Sequence, residues 1–276
     1  MIKLYEVGGS IRDELLGRPN NDRDFVAVCP QGWDALVKWS EDNLDKVFLV
    51  SPQFFTLRGK RGNKVIDIVM ARKDGAYSDG RRPDTVEPGT LEDDLLRRDF
   101  TMNAMAREVD LETFEPVGEI IDPLFGASDI SDGVIRIVHP EDPDSVYDYI
   151  GETFKRMIED PLRLIRALRF CVTLELTLSP NLSAILRYNE FHSTETCEVF
   201  GRVKPLEEKP SELIKGIARE RVCVELTKLF KDNPLKACTL FTNTMEENYN
   251  FHVHPDISKA IFGDDIWLKP TMEKRK

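Results

Sequence analysis

No apolar stretch in this sequence approaches the roughly 20 residues that a membrane-spanning helix needs; runs such as VFLV and VIDIVM stop far short, so no membrane association is expected. The opening MIKLYEVGG lacks a secretory pattern, because glycines follow at once, and the expected compartment is the cytoplasm. There is no CxxC pair. The five cysteines, Cys29, Cys171, Cys197, Cys223 and Cys238, are odd in number and scattered, which points to reduced, mostly buried thiols instead of a disulfide framework. His139, His192, His252 and His254 have no ligand-like spacing with them, and none is assigned to a metal. A surplus of positive charge is missing too: a net charge of −11 and a pI near 5.0 exclude a general nucleic-acid coat. Internal repeats and low-complexity tracts are absent.

What the chain does have is enough apolar residue to build a core. With 276 residues, 41% hydrophobic and 32% charged, it reads as a soluble globular protein of about two domains. Its basic residues cluster at 58–64, 81–83, 95–99 and 163–169, so contact with a phosphate-rich substrate would be local.

The first segment reads as strand KLYEV, a Gly-Gly turn, helix SIRDELLG and strand DRDFVAV, an α/β start. Ser10 and Asp13 fit a capping box for that helix, and Gly17 with Pro19 fits its end. A helix over 31–43 and strands KVFLV and NKVIDIVMA follow, the last with one polar position at Asp67. Residues 72–89, rich in Gly, Asp, Arg and Pro, predict a mobile loop. Thr90 and Asp93 form a capping signature before a helical run over LEDDLLRRDFTMNAMA, and beyond residue 150 nearly every periodic segment is helical.

Asp22 and Asp24 stand two apart at the head of an apolar strand, which puts both carboxylates on one face. Such a pair fits Mg²⁺, an oxygen-seeking ion usually held by one or two carboxylates together with substrate phosphates. A lone DxD is more often a solvated turn. Just upstream, however, Gly8 and Gly9 allow close backbone approach and open onto a helix N-terminus, an arrangement suited to phosphate. Asp67 is a candidate third carboxylate.

The run VGGSIRDELLGRPNNDRDFV resembles the signature of the class II tRNA nucleotidyltransferase and bacterial poly(A) polymerase family. Later segments resemble that family's other motifs in order: EDDLLRRDFTMNAMA its second motif, IIDPLFGASDI its hinge, EDPLRLIRALRF its nucleotide-selecting helix and ARERVCVELTKLF a helix of the body. The resemblance implies an α+β protein. A polymerase-β-like nucleotidyltransferase head of small mixed sheet and helices, residues 1–138, would precede an all-α neck and shortened RNA-binding body, residues 139–276. It also implies that Gly9, Arg12 and Arg98 contact the nucleotide, with Arg97 and Asp99 structural.

The EDPLR segment supports the resemblance on independent grounds. Cytosine and adenine each present an amine donor beside a ring-nitrogen acceptor, whereas uracil and guanine present a carbonyl beside an N–H. An aspartate, which only accepts, next to an arginine, which only donates, therefore pairs with C or A. Asp160 and Arg163, one helical turn apart, can form that edge; an ordinary salt bridge is the alternative. Arg166 and Arg169 continue the spacing, drifting roughly 60° per step, toward a triphosphate or simply toward solvent. Glu159 would orient Arg163, and Glu220, Arg221 and Glu225 read as a scaffold network.

The implied activity is metal-dependent addition of C and A to the 3′ end of tRNA from CTP and ATP, with two Mg²⁺ ions and no nucleic-acid template. Addition of poly(A), of CC only or of A only are sister readings, and a non-catalytic RNA-binding protein of the same fold is a reading of another class. Residues 139–158 are longer than the family's usual hinge link, and FHVHPD does not resemble the HDxGK phosphohydrolase motif of some relatives.

Overall fold

The computed structural model describes residues 1–19, 23–75, 85–139, 146–189, 196–199, 202–205, 209–241 and 253–263. The chain divides into two compact units. The first comprises Met1–Asp132 and Arg136–Glu141, the second Gly133–Ile135 and Asp142–Lys276.

In the first unit the elements run β1 (Lys3–Val7), α1 (Gly9–Leu15), β2 (Asp24–Val28), α2 (Trp33–Asn43), β3 (Lys46–Ser51), β4 (Thr56–Arg61), β5 (Lys64–Met70), β6 (Arg72–Asp74), β7 (Val86–Pro88), α3 (Leu91–Leu96), β8 (Ala106–Val109) and α4 (Gly126–Ser131). Six strands form one sheet in the order β3-β4-β5-β2-β1-β8. Within it β2 and β5 are parallel and the other neighbours antiparallel.

Alternation divides the side chains of this sheet between two faces. Leu4, Phe25, Ala27, Leu57, Ile66, Ile68 and Met70 pack on one face with Leu36 of α2. Tyr5, Val7, Val26 and Ala106 line the other with Leu95 of α3. Phe25, Leu4, Leu36, Leu57, Ile68 and Met70 are all but completely buried, and each such side chain contributes about 1.5–3 kcal/mol of transfer free energy.

Helix α1 is not closed by a capping box. Its N-cap is Gly8, which has no side chain to accept a hydrogen bond; Ser10 lies inside the first turn with its Oγ toward the Val7 carbonyl, and Asp13 pairs with Arg12. Its end is as expected, with Gly17 at φ 64° and the Arg18 amide bonded to the Asp13 carbonyl. The capping box at Thr90 and Asp93 forms. The helix it opens stops at Leu96, however, well short of the expected run: Asp94 draws in Arg97 and Arg98, and Phe100 is extended and bridges to Ile137. The rest of that segment makes a short 3₁₀ turn over Thr101–Asn103 and the edge strand β8. The expected loop is hydrogen-bonded at its base, where β6 pairs with β7; residues 76–84 lie outside the described residues.

The second unit continues β9 (Val134–Ile135), α5 (Val146–Glu159), α6 (Leu162–Thr173), β10 (Thr177–Leu178), α7 (Pro180–Tyr188), β11 (Thr196–Val199), β12 (Arg202–Pro205), α8 (Pro210–Lys215), α9 (Arg219–Asp232), α10 (Pro234–Phe241) and α11 (Pro255–Phe262). Helices dominate, yet the expectation of helix alone needs correction: β10 pairs with β9, and β11 and β12 form an antiparallel hairpin. The alternation of Cys197 and Val199 in TCEV is too short to outweigh the helical periodicity around it. Helix α6 is central. Leu164, Ile165, Leu168, Phe170, Cys171 and Val172 are buried, so the helix is surrounded, and Arg166 and Arg169 keep partial exposure. Cys29, Cys171, Cys223 and Cys238 are free thiols; Cys29 and Cys171 are buried, Cys238 is half-buried and Cys223 is exposed. No helix among the described residues is long and apolar enough to cross a membrane.

Candidate nucleotide and metal site

Strand register builds the first part of the site. Asp24 opens β2 and lies opposite Val7 of β1 on one side and Asp67 of β5 on the other. Asp67 in turn lies opposite Arg58 of β4. Arg58, Asp67 and Asp24 therefore form a cross-strand row on the face opposite α2, ending beside the Gly8–Gly9 turn. Arg58 donates to both Asp67 oxygens, with Nη2 2.7 Å from Oδ2. The hydrogen bond to Asp67 and that residue's charge raise the Arg58 pKa above its ordinary value, with a smaller push from Asp24. Asp22 lies outside the described residues.

The glycine turn supplies the second part. Gly8 adopts φ 79°, and a Cβ there would come 2.9 Å from Arg98 Nη1. A Cβ on Gly9 would come 3.3 Å from Arg12 Nη2. The two guanidinium groups thus lie against the two glycines, and Asn103 ties them together: its Oδ1 accepts from Arg12 Nη1 at 2.6 Å, and its carbonyl accepts from Arg98 Nη1 at 3.3 Å. Asp99 Oδ1 accepts from Asn103 Nδ2 at 3.0 Å and from the Phe100 amide at 2.8 Å.

Beneath them, Asp94 is fully buried and accepts from Arg97 Nη2 at 2.5 Å and Arg98 Nη2 at 2.9 Å. Burial alone would raise its pKa, but the charges of Arg97 and Arg98 and their hydrogen bonds prevail and hold it below the ordinary aspartate range. The Thr101–Asn103 turn rests on α4, where Thr101 Oγ1 donates to Asp129 at 2.6 Å. A Cβ on Gly126 would come 2.2 Å from the Thr101 carbonyl oxygen, so only glycine allows this approach.

In the second unit the four expected residues divide into two groups. Asp160 precedes α6 instead of lying on it, and accepts from Arg221 Nη2 at 2.8 Å and from the Leu162 amide at 3.2 Å. Arg163 is buried, with Nη1 2.6 Å from the Arg156 carbonyl and 3.0 Å from Glu159 Oε2. The two are adjacent in the chain's path and anchored separately, with no salt bridge between them among the described contacts; Glu159 holds Arg163 as its sequence position suggested. Arg166 and Arg169 both turn to Glu225 of α9, at 3.6 and 2.5 Å, and Arg169 stacks 3.9 Å over the Phe170 ring.

Sequence reasoning missed Asn103, Asp94 and Arg58. Asn103 and Asp94 sit in a run read as one helix, where a polar residue reads as solvent-facing. Arg58 lies in a basic cluster that hid the alternation of β4, Leu57 and Gly59 inward against Arg58 and Lys60 outward.

Chemically, the two carboxylates of the row offer oxygen donors, which fit a hard divalent cation, and the glycine pocket offers guanidinium donors, which fit phosphate. Among the described residues no group of three or more His, Cys, Asp and Glu is placed to hold a metal ion.

This pairing of a carboxylate-bearing strand with a glycine turn and flanking arginines on a small mixed sheet defines a nucleotidyltransferase head. Residues 4–136 match the family described as poly A polymerase head domain. It is 36% identical over 188 residues to the A-adding tRNA nucleotidyltransferase of Aquifex aeolicus (strain VF5), covering 67% of this chain and 20% of that protein. It is 35% identical over 187 residues to the CCA-adding enzyme of Geobacillus stearothermophilus, covering 67% and 40%. Among solved structures it resembles the Bacillus stearothermophilus CCA-adding enzyme in complex with CTP, with TM-score 0.61 and 29% identity over 86% of this chain and 47% of that one. The chain thus spans 20% and 40% of the length of these two curated relatives.

Proposed function

We propose that the chain adds C and A to the 3′ end of tRNA by nucleotidyl transfer from CTP and ATP, in the cytoplasm and without a nucleic-acid template. The observation that carries this reading is the register that sets Asp24 opposite Val7, next to the Gly8–Gly9 turn, whose glycines lie against two guanidinium groups tied by Asn103.

The 3′-hydroxyl oxygen of the RNA forms a bond to the α-phosphorus of the incoming nucleotide, the bond to the β-phosphate oxygen breaks, pyrophosphate leaves and the hydroxyl proton is lost. Asp22 and Asp24 would hold two Mg²⁺ ions, which supply charge neutralisation when bound. Arg12 and Arg98 bind the triphosphate, with Gly8 and Gly9 letting it approach the backbone. Asp160 and Arg163 choose the base: Arg221 orients the acceptor, and Glu159 with the Arg156 carbonyl orients the donor. Arg166, farther from Glu225 than Arg169, is the one to reach a phosphate, while Arg169 positions α6 against α9.

A second reading, addition of A alone, draws on the 36% identity to an A-adding relative, a figure that a CCA-adding relative also reaches. The test is incubation with Mg²⁺ and tRNAs ending before CCA, after C and after CC, giving CTP and ATP separately and together. Growth to CCA from all three supports the proposal. Extension only of the CC-ended tRNA supports the second reading, and no extension of any RNA refutes both.

A further inference from the structure

We infer that Arg58 is the resident counter-cation of the carboxylate row, holding Asp67 while no divalent ion is bound and giving it up as the ion enters; this rests on the metal-dependent reading above.

The register argument is the strongest part. Two carboxylates directly opposite one another on adjacent strands repel, and Asp24 and Asp67 are such a pair. Arg58 is the next residue along the same row. It engages Asp67 through both carboxylate oxygens, and the Asp24 charge is also felt at its guanidinium.

The ion pair is not required to set strand register. The β4–β5 hairpin turns tightly between Arg61 and Lys64 with Gly62 at φ 58°, and Leu57, Ile66 and Ile68 fix the pairing by burial on the other face. The pair is also open to displacement. The Arg58 side chain is 50% exposed and that of Asp67 31%, so a divalent ion can reach Asp67 and Arg58 can move into water. A wholly structural bridge has no need of this position at the end of a row that begins at Asp24.

Binding of Mn²⁺ to the full chain, followed by electron paramagnetic resonance without nucleotide or RNA, tests this on wild type, Arg58→Gln, Arg58→Lys, Asp67→Asn and the double variant. Removing the competing charge in Arg58→Gln is expected to lower the half-saturating Mn²⁺ concentration roughly two- to fivefold, the range set by exposed ion pairs. Arg58→Lys, which keeps the charge, stays within about twofold of wild type. In the Asp67→Asn background the Arg58→Gln shift disappears. An unchanged or weaker midpoint in Arg58→Gln, with only a fall in Tm, makes the bridge a strand-pairing device and overturns the inference, as does a wild-type chain that binds no Mn²⁺. Failure of tRNA extension with these Mn²⁺ shifts intact refutes the proposed function alone.

Discussion

Asp94 has no exposed surface, and it remains ionised because Arg97 and Arg98 both close on it. That one residue ends α3, fixes Arg98 against Gly8 and so shapes the glycine turn. Asp94→Asn is expected to lower stability by about 2–3 kcal/mol, the value of charge-assisted hydrogen bonds lost in a buried place, read as a fall in the urea midpoint. Its pKa is depressed on folding, so the stabilisation is complete above the unfolded aspartate value near about pH 4 and is lost as pH falls below it. Wild type should lose stability through that acid range, and the variant should lose less.

Among the elements, β1 and β2 are fastened by charge at the end that carries Asp24. Glu6 is buried and receives Arg23 through two hydrogen bonds of 3.0 and 2.9 Å, with Arg107 at 3.8 Å. Arg107 continues to Glu14 of α1, which lowers the Glu14 pKa through that hydrogen bond. Arg23 directly precedes Asp24, so its pairing with Glu6 pins the start of the strand that carries Asp24. Glu6→Gln is expected to lower the stability of the first unit by about 2 kcal/mol and to reduce the rate of nucleotide incorporation with little change in nucleotide KM. A stability loss without a rate change would limit the network to folding.

This scale is also where the sequence was most and least legible. KLYEV, DFVAV and KVIDIVM alternate with apolar residues buried on one or both faces, and each became a strand near its expected place. Strand β4 was hidden because Arg58 and Lys60 take its outward positions and Gly59 an inward one, leaving Leu57 as its single large buried side chain. The segment after Leu96 was hidden because its helical spacing is real, and the buried Asp94 overrides it through long-range pairing that periodicity does not encode. Gly8, Arg12, Arg98 and Asp24 could be named from motif order. Their tie through Asn103 could not, since it depends on the 3₁₀ turn.

At the scale of the whole molecule, an acidic chain with two units confines its cations to short stretches. In the first unit, Arg12 and Arg98 serve the glycine turn; in the second, Arg163, Arg166 and Arg169 rise from one buried helix and are held by Glu159 and Glu225. Few of these charges are left to solvent alone, which reconciles a net charge of −11 with the phosphate-rich substrate proposed above. The claim that the first unit carries out chemistry, and does not only bind RNA, is tested most directly by comparing wild type with Asp22→Ala/Asp24→Ala for incorporation of labelled ATP and CTP into tRNA lacking its 3′ end, alongside tRNA binding. The expected result is incorporation reduced by at least about 10³-fold, the scale of removing transition-state charge stabilisation, with tRNA binding kept. Incorporation that survives in the double variant would contradict it.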